Sequence, residues 1–228
     1  MLVAGVSRGW PEVGRLRAVL PPGAQLEVMD PADADRALLP TTEAALVEGD
    51  APQRVREFAA GRLCSRAALA GIGQRTDPVL MDAGGAPAWP DEVRASISHK
   101  DSLCVAVVGS TRTWSGVGID VERAAPLPRS TWSRVLTAHE RGLLEAGPRG
   151  SIAARATFSA KEAYYKWYRS CGHSGTPDFN DVDVSLLDDT VVVTPALDTD
   201  LPVARGRCVV GDTWIIALLY SEPIQPRS

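Results

Sequence analysis

Two short apolar runs, residues 104–108 and 117–121, are bounded by glycine and polar residues and predict buried strands at about 103–108 and 116–121. A different period governs residues 152–170. There Ile152, Ala156, Ala160, Ala163 and Trp167 recur at helical spacing, and Phe158, Glu162, Tyr165, Lys166 and Arg169 share an adjoining face, so a helix is expected over 151–171. Residues 52–71 predict a second long helix, with Val55, Phe58, Ala59, Leu63, Ala67 and Ala70 on one side and Gly71 and Gly73 ending it. Shorter elements are expected around these: a helix at 11–20, a strand at 25–29, and a helix at 131–146 that stops at Gly147-Pro148. Residues 76–95 read as loop and 124–130 as a proline-bearing linker. Strands are expected at 182–187, 190–194, 204–210 and 213–220, the last two joined by a hairpin at Gly211-Asp212, and residues 223–228 are expected to fray. This order gives an α+β chain. A division into half-domains, 1–115 and 116–228, that breaks near residue 120 puts Asp120 and Glu122 at the junction, where ligand clefts are common.

Within that frame, charge placement suggests chemistry. Side chains alternate faces along a strand, so Asp120 and Glu122 point the same way. Two carboxylates side by side repel unless a proton or cation lies between them. On its own, Asp-Val-Glu is simply a solvated strand end. The 151–171 helix adds a third carboxylate, Glu162, with Lys161 beside it and Lys166 one turn on. Glu162 and Lys166 are also an ordinary i, i+4 pair, but the aromatic flanks Phe158, Tyr165 and Trp167 imply partial burial and a need for a phosphate partner. Three acids for a hard cation such as Mg²⁺ and two ammonium groups for phosphate point to a phosphorylated cofactor.

Composition then excludes whole classes of partner. At 228 residues, 45% hydrophobic and 23% charged, the chain has the make-up of a soluble globular protein with a real core. A net charge of −4 argues against nucleic acid or an anionic membrane as the primary partner. No stretch approaches the roughly 20 apolar residues of a membrane span, and residues 1–8 lack the basic leader and apolar core of a signal peptide. Cys64, Cys104, Cys171 and Cys208 are widely spaced without a CxxC, which suits free thiols in a reducing cytoplasm. There is no Gly-x-x-x-x-Gly-Lys phosphate loop and no dinucleotide fingerprint after a strand, so another type of Mg²⁺-dependent nucleotide enzyme lacks support.

Four segments occur together. They are Arg54-Val55-Arg56-Glu57-Phe58 through Gly61-Arg62-Leu63-Cys64-Ser65-Arg66; Gly85-Ala86-Pro87-Ala88-Trp89-Pro90 followed by Ser96-Ile97-Ser98-His99; Gly116-Val117-Gly118-Ile119-Asp120-Val121-Glu122; and Phe158-Ser159-Ala160-Lys161-Glu162-Ala163-Tyr164-Tyr165-Lys166. In this order and spacing, over roughly residues 50 to 170, the chain resembles the phosphopantetheinyl transferases, in particular the monomeric type that activates siderophore and peptide synthetases. The resemblance implies two similar α/β halves with the cofactor between them. It also implies transfer of 4′-phosphopantetheine from coenzyme A to a serine of an apo acyl or peptidyl carrier protein, leaving adenosine 3′,5′-bisphosphate. On this basis Asp120, Glu122 and Glu162 would hold Mg²⁺ against the pyrophosphate. Lys161 and Lys166 would contact phosphate oxygens. Arg54, Arg62, Arg66 and His99 would wall the nucleotide end, and Glu162 would take the serine proton directly or through a metal-held water. Many relatives carry basic residues before the Gly-x-Pro-x-Trp-Pro segment. Here residues 80–85 carry none, and Lys100 is the expected substitute. A non-catalytic coenzyme A-binding module is the competing reading, and the intact acids and lysines argue against it.

Overall fold

The computed structural model describes residues 9–222 apart from 146, 148, 149, 197 and 198. Helix α1 (Pro11–Arg17) and strand β1 (Ala24–Met29) lead to a short α2 (Thr41–Ala45), the long α3 (Pro52–Gly71), β2 (Val93–Lys100) and β3 (Leu103–Ser110). There follow β4 (Gly116–Arg123), α4 (Trp132–Val135), α5 (Ala138–Glu145), the long α6 (Gly150–Ser170), β5 (Val182–Leu187), β6 (Thr190–Pro195), β7 (Ala204–Val210) and β8 (Trp214–Ser221). All pairings are antiparallel, in sheets ordered β1-β3-β2 and β4-β8-β7-β6-β5. The same plan is used twice: strand, long helix, then strands of which the last lies between the first and its predecessor, giving β1-β3-β2 and β4-β8-β7, with β6 and β5 added at the edge of the second sheet. The α+β class and the two-part plan both hold.

Strand alternation sorts the apolar residues into layers. Val105 and Val107 of β3, Ile119 and Val121 of β4, and Ile216 and Leu218 of β8 face one shared core. The opposite faces meet the helices: Cys104 and Ala106 lie under α3, Ala217 and Leu219 under α6. Helix α1 does not stay with the first half. Val13 and Leu16 enter the shared core, and Glu12 Oε1 accepts from the amides of Thr213 (3.2 Å) and Trp214 (3.3 Å), so α1 caps the β7–β8 hairpin. The expected grouping of all of 1–115 into one half is corrected to that extent.

Other departures have local causes. Strand β2 overlaps the end of the 76–95 stretch expected as loop, and residues 96–100 were given no element, although Val93, Ala95 and Ile97 alternate with Arg94, Ser96 and Ser98. The helix expected at 131–146 breaks at Leu136, which is extended (φ −107°, ψ 135°). Thr137 Oγ1 accepts from the Glu140 amide (3.2 Å) and Glu140 Oε2 from the Thr137 amide (2.8 Å), a reciprocal cap that starts α5 afresh. In α3 the buried stripe runs through Gly61, Ser65 and Ala68, leaving Ala70 exposed, because small residues let the helix settle close to the sheet. Pro148, residues 1–8 and residues 223–228 lie outside the described residues. Among those described, no helix is long and apolar enough to cross a membrane.

Candidate active site

Gly116, Gly118, Asp120 and Glu122 share one face of β4, and the two glycines decide what meets it. A Cβ at Gly118 would stand 2.1 Å from the Ala163 carbonyl oxygen, and one at Gly116 would stand 2.2 Å from Cys171 Sγ. Only glycine allows α6 to lie directly on the strand. Along α6, Arg155, Ser159, Glu162, Lys166 and Arg169 form one polar stripe at i, i+4, i+7, i+11 and i+14. Contact between strand and helix brings this stripe to the two acids. On the far side, β2 meets β4 without a strand ladder. Ser96 Oγ accepts from the Ile119 amide (3.0 Å) and Ser98 Oγ from the Val121 amide (3.2 Å).

Asp120 is 6% exposed and fully engaged: Oδ1 accepts from Ser98 Oγ and from Lys166 Nζ, both at 3.0 Å, and Oδ2 accepts from Ser159 Oγ at 2.9 Å. Glu122, 8% exposed, lies between Lys100 Nζ (3.3 Å) and Arg155 Nη1 (3.2 Å). Arg155 also donates to the carbonyls of Ala125 and Pro126, both at 3.3 Å, so it braces the chain leaving β4. Glu162 is half-buried and makes no hydrogen bond or ion pair among the described residues. Burial pushes its pKa up, the Asp120 and Glu122 carboxylates add to this, and Lys166 opposes it. The donors are all oxygen, which suits a hard divalent cation. Among the described residues, no three of His, Cys, Asp or Glu enclose a metal by themselves. An ion here would complete its shell with water and substrate oxygens, as Mg²⁺ habitually does, and would take over charge now balanced by Lys166, Lys100 and Arg155.

A second group lies between α3 and β2. Arg62 is 4% exposed, stacks over the Phe58 ring at 4.4 Å, and has a buried Nε without a hydrogen-bond partner. Burial lowers its pKa, with Glu43 opposing and Arg54 and Arg66 reinforcing. A buried guanidinium with donors to spare is a strong demand for an anion. Arg54 is exposed and makes no hydrogen bond or ion pair among the described residues. His99 is half-buried, its Nδ1 3.7 Å from Glu57 Oε2, and burial holds its pKa down against that carboxylate.

Two expected site residues are turned away. Lys161 is 2% exposed and donates to Glu140 Oε2 (2.6 Å), Phe179 O (2.7 Å) and Val135 O (3.0 Å), which uses all three N–H groups. Burial lowers its pKa, with Glu140 opposing. Its expected phosphate contact is corrected to a pin holding α6 to α4 and α5. Arg66, expected at the nucleotide end, pairs with the buried Glu43, whose other oxygen accepts from the Val79 amide (2.7 Å), so in the free protein it ties α3 to α2. Arg155 was overlooked in the sequence, although its place on the polar stripe was legible there.

Two cavities lie along this part of α6, sharing Tyr165. A groove of about 740 Å³ runs between the 82–91 segment and the end of α6, lined by Trp89, Arg94, Ser96, Tyr165, Lys166 and Arg169. A pocket of about 300 Å³ is lined by Glu162, Tyr164, Tyr165, Pro177, Phe179 and Val182.

Residues 42–109 match the 4′-phosphopantetheinyl transferase N-terminal domain, and residues 116–217 match the 4′-phosphopantetheinyl transferase superfamily. The chain is 35% identical over 202 residues to 4′-phosphopantetheinyl transferase Svp of Streptomyces mobaraensis, covering 86% of this chain and 81% of that one. It is 33% identical over 156 residues to 4′-phosphopantetheinyl transferase Npt of Nocardia iowensis, covering 67% and 69%. Enterobactin synthase component D of Salmonella typhimurium is 33% identical over 138 residues, covering 59% and 56%. The matched stretches fall one on each half of the repeated plan, and the similarity to Svp runs through the seam between them; the chain therefore belongs to the 4′-phosphopantetheinyl transferases and is an enzyme of that class.

Proposed function

We propose that the enzyme moves 4′-phosphopantetheine from coenzyme A to a serine of apo carrier proteins and releases adenosine 3′,5′-bisphosphate. The observation that carries this reading is the unpaired, half-buried Glu162 beside the Asp120–Lys166 pair, with an apolar pocket against it and a groove opening at the neighbouring Tyr165 and Lys166. Asp120, Glu122 and Glu162 would hold Mg²⁺, which supplies charge neutralisation at the pyrophosphate. Arg54, Arg62 and His99 clasp the 3′-phosphate, answering the unmet demand of Arg62. Lys166 exchanges part of its contact with Asp120 for a phosphate oxygen. The aromatic pocket beside Tyr164 and Tyr165 takes the pantetheine arm and excludes water from it.

In the reaction the carrier serine oxygen forms a bond to the β-phosphorus. The bond from that phosphorus to the bridging oxygen breaks, and the bisphosphate leaves with the electron pair. The serine proton passes to Glu162, whose raised pKa suits a general base. The carriers belong to siderophore, peptide or polyketide synthesis. We place the enzyme in the cytoplasm, as a monomer. Incubation with coenzyme A, Mg²⁺ and an apo carrier domain, followed by weighing the carrier, tests the proposal. A gain of one phosphopantetheine is expected; binding of coenzyme A with no gain on any carrier would leave only a binding module.

A further inference from the structure

Residues 80–85 carry no base, yet a cation lies against them. The segment folds into a tight turn: Met81 bridges Pro87, the Asp82 amide donates to Ala86 O (2.8 Å), and the Gly85 amide donates to Asp82 O (3.0 Å). Asp82 Oδ1 is committed to this turn, accepting from the amides of Gly84 (2.8 Å) and Ala86 (2.9 Å). Its Oδ2 accepts instead from Arg169 Nη2, across the mouth of the 740 Å³ groove, at 3.4 Å. Gly84 is part of the seat. A Cβ there would stand 3.0 Å from Arg169 Nη2, so the absent side chain leaves the space that the guanidinium occupies.

Arg169 is held loosely. A guanidinium has five N–H donors, and the long contact to Asp82 is the one hydrogen bond the Arg169 side chain makes among the described residues. The two side chains are 35% and 43% exposed, where an ion pair contributes little stability. The other cations lining the groove are more committed. Arg94 donates to the carbonyls of Ser115, Asp91 and Val93, and Lys166 is anchored on Ile119 O and Asp120. Arg169 lies one helical turn beyond Lys166 on the same face, so an anion reached by one is within the sweep of the other.

We propose that Arg169 is a phosphate-binding residue for the pyrophosphate of the donor, parked on Asp82 in the free protein and released to the ligand when it enters the groove. This rests on the reading that the groove receives coenzyme A. Asp82 acts as an internal anion that keeps the guanidinium aimed at the groove mouth. The competing role is a strap that fastens the 82–87 turn to α6.

The two roles predict opposite signs for one substitution. Asp82→Asn keeps the Oδ1 acceptor that shapes the turn and removes the charge that competes for Arg169. If Asp82 is a competitor, calorimetric titration with coenzyme A should show Asp82→Asn binding tighter than wild type, by about two- to fivefold, given how weak exposed pairs are. Arg169→Ala should bind about tenfold weaker and Arg169→Lys in between, since a charge-assisted contact to phosphate is lost or made poorer. The Arg169→Ala loss should be the same for 3′-dephospho-coenzyme A, whose missing phosphate belongs to Arg54, Arg62 and His99. Unchanged melting temperatures would confirm that each variant is folded. Weaker binding in both Asp82→Asn and Arg169→Ala would make the pair a strap and overturn the proposal, as would wild-type affinity in Arg169→Ala. A wild-type protein that binds no coenzyme A would take down the functional reading and this inference with it. Binding with no effect of Arg169 would take down the inference alone.

Discussion

The three acids differ in company. Asp120 and Glu122 are each neutralised by the protein's own cations, and Glu162 is not. On the proposed function, that difference would make Glu162 the proton acceptor. Glu162→Gln keeps the shape and one coordinating oxygen but removes the basicity. Coenzyme A affinity should fall modestly while kcat falls about 10²–10⁴-fold. Substantial recovery in Mn²⁺ would instead make Glu162 a metal ligand alone. On the proposed function, His99 would supply a pH dependence. Burial holds it neutral more readily than a free histidine, and a bound phosphate dianion would raise its pKa. A higher pKa in the complex than in the free enzyme means proton uptake on binding, so affinity should rise as pH falls from about 8 to about 6. Titration in buffers of different ionisation enthalpy should report that uptake, and His99→Gln should abolish it. Asp120 and Glu122 were legible because a strand repeats every two residues. The fates of Lys161 and Arg66 were not, because their partners Glu140 and Glu43 lie 21 and 23 residues away and local spacing carries no trace of them.

At the scale of elements, the Lys161–Glu140 pair joins α6 to α5, and Glu140 also accepts from the Val184 amide of β5 (2.8 Å). Breaking such a buried pair by removing one partner leaves an uncompensated charge and costs about 3–5 kcal/mol. Lys161→Met should therefore lower the midpoint of urea unfolding. The fraction that remains folded should bind coenzyme A nearly as well as wild type; a selective loss of affinity with unchanged stability would return Lys161 to the phosphate. Long periodic elements such as α3 and α6 were visible in the chain. Strand β2 was missed because its polar face, Ser96 and Ser98, turns inward to accept from β4 amides rather than outward to water, and the α4–α5 break was hidden in the reciprocal cap of Thr137 and Glu140.

For the whole molecule, the repeated plan suggests two units, but the packing joins them. Trp114 from the end of the first half and Trp214 from the second lie in one core with Val13 and Leu16 of α1. The chain should unfold in a single transition, with tryptophan fluorescence and far-ultraviolet circular dichroism superimposing against urea. Two separated transitions would mean that the halves fold independently. The similarity of the halves was legible only through the family resemblance, because it is carried by strand order, which leaves no residue repeat.

The serine seam between β2 and β4 has a dynamic consequence. The amides of Ile119 and Val121 flank Asp120, and each ends on a hydroxyl that rotates about its own bond. Deuterium should reach these two positions through small local openings that spare the β4–β8 ladder, so they should exchange faster than the ladder amides beside them. Bound coenzyme A, gripping residues from both halves, should slow them together. Ser98→Ala should release Val121 and leave Ile119 protected. Asp120 thus sits between two natural isotope clocks for the opening of the cleft.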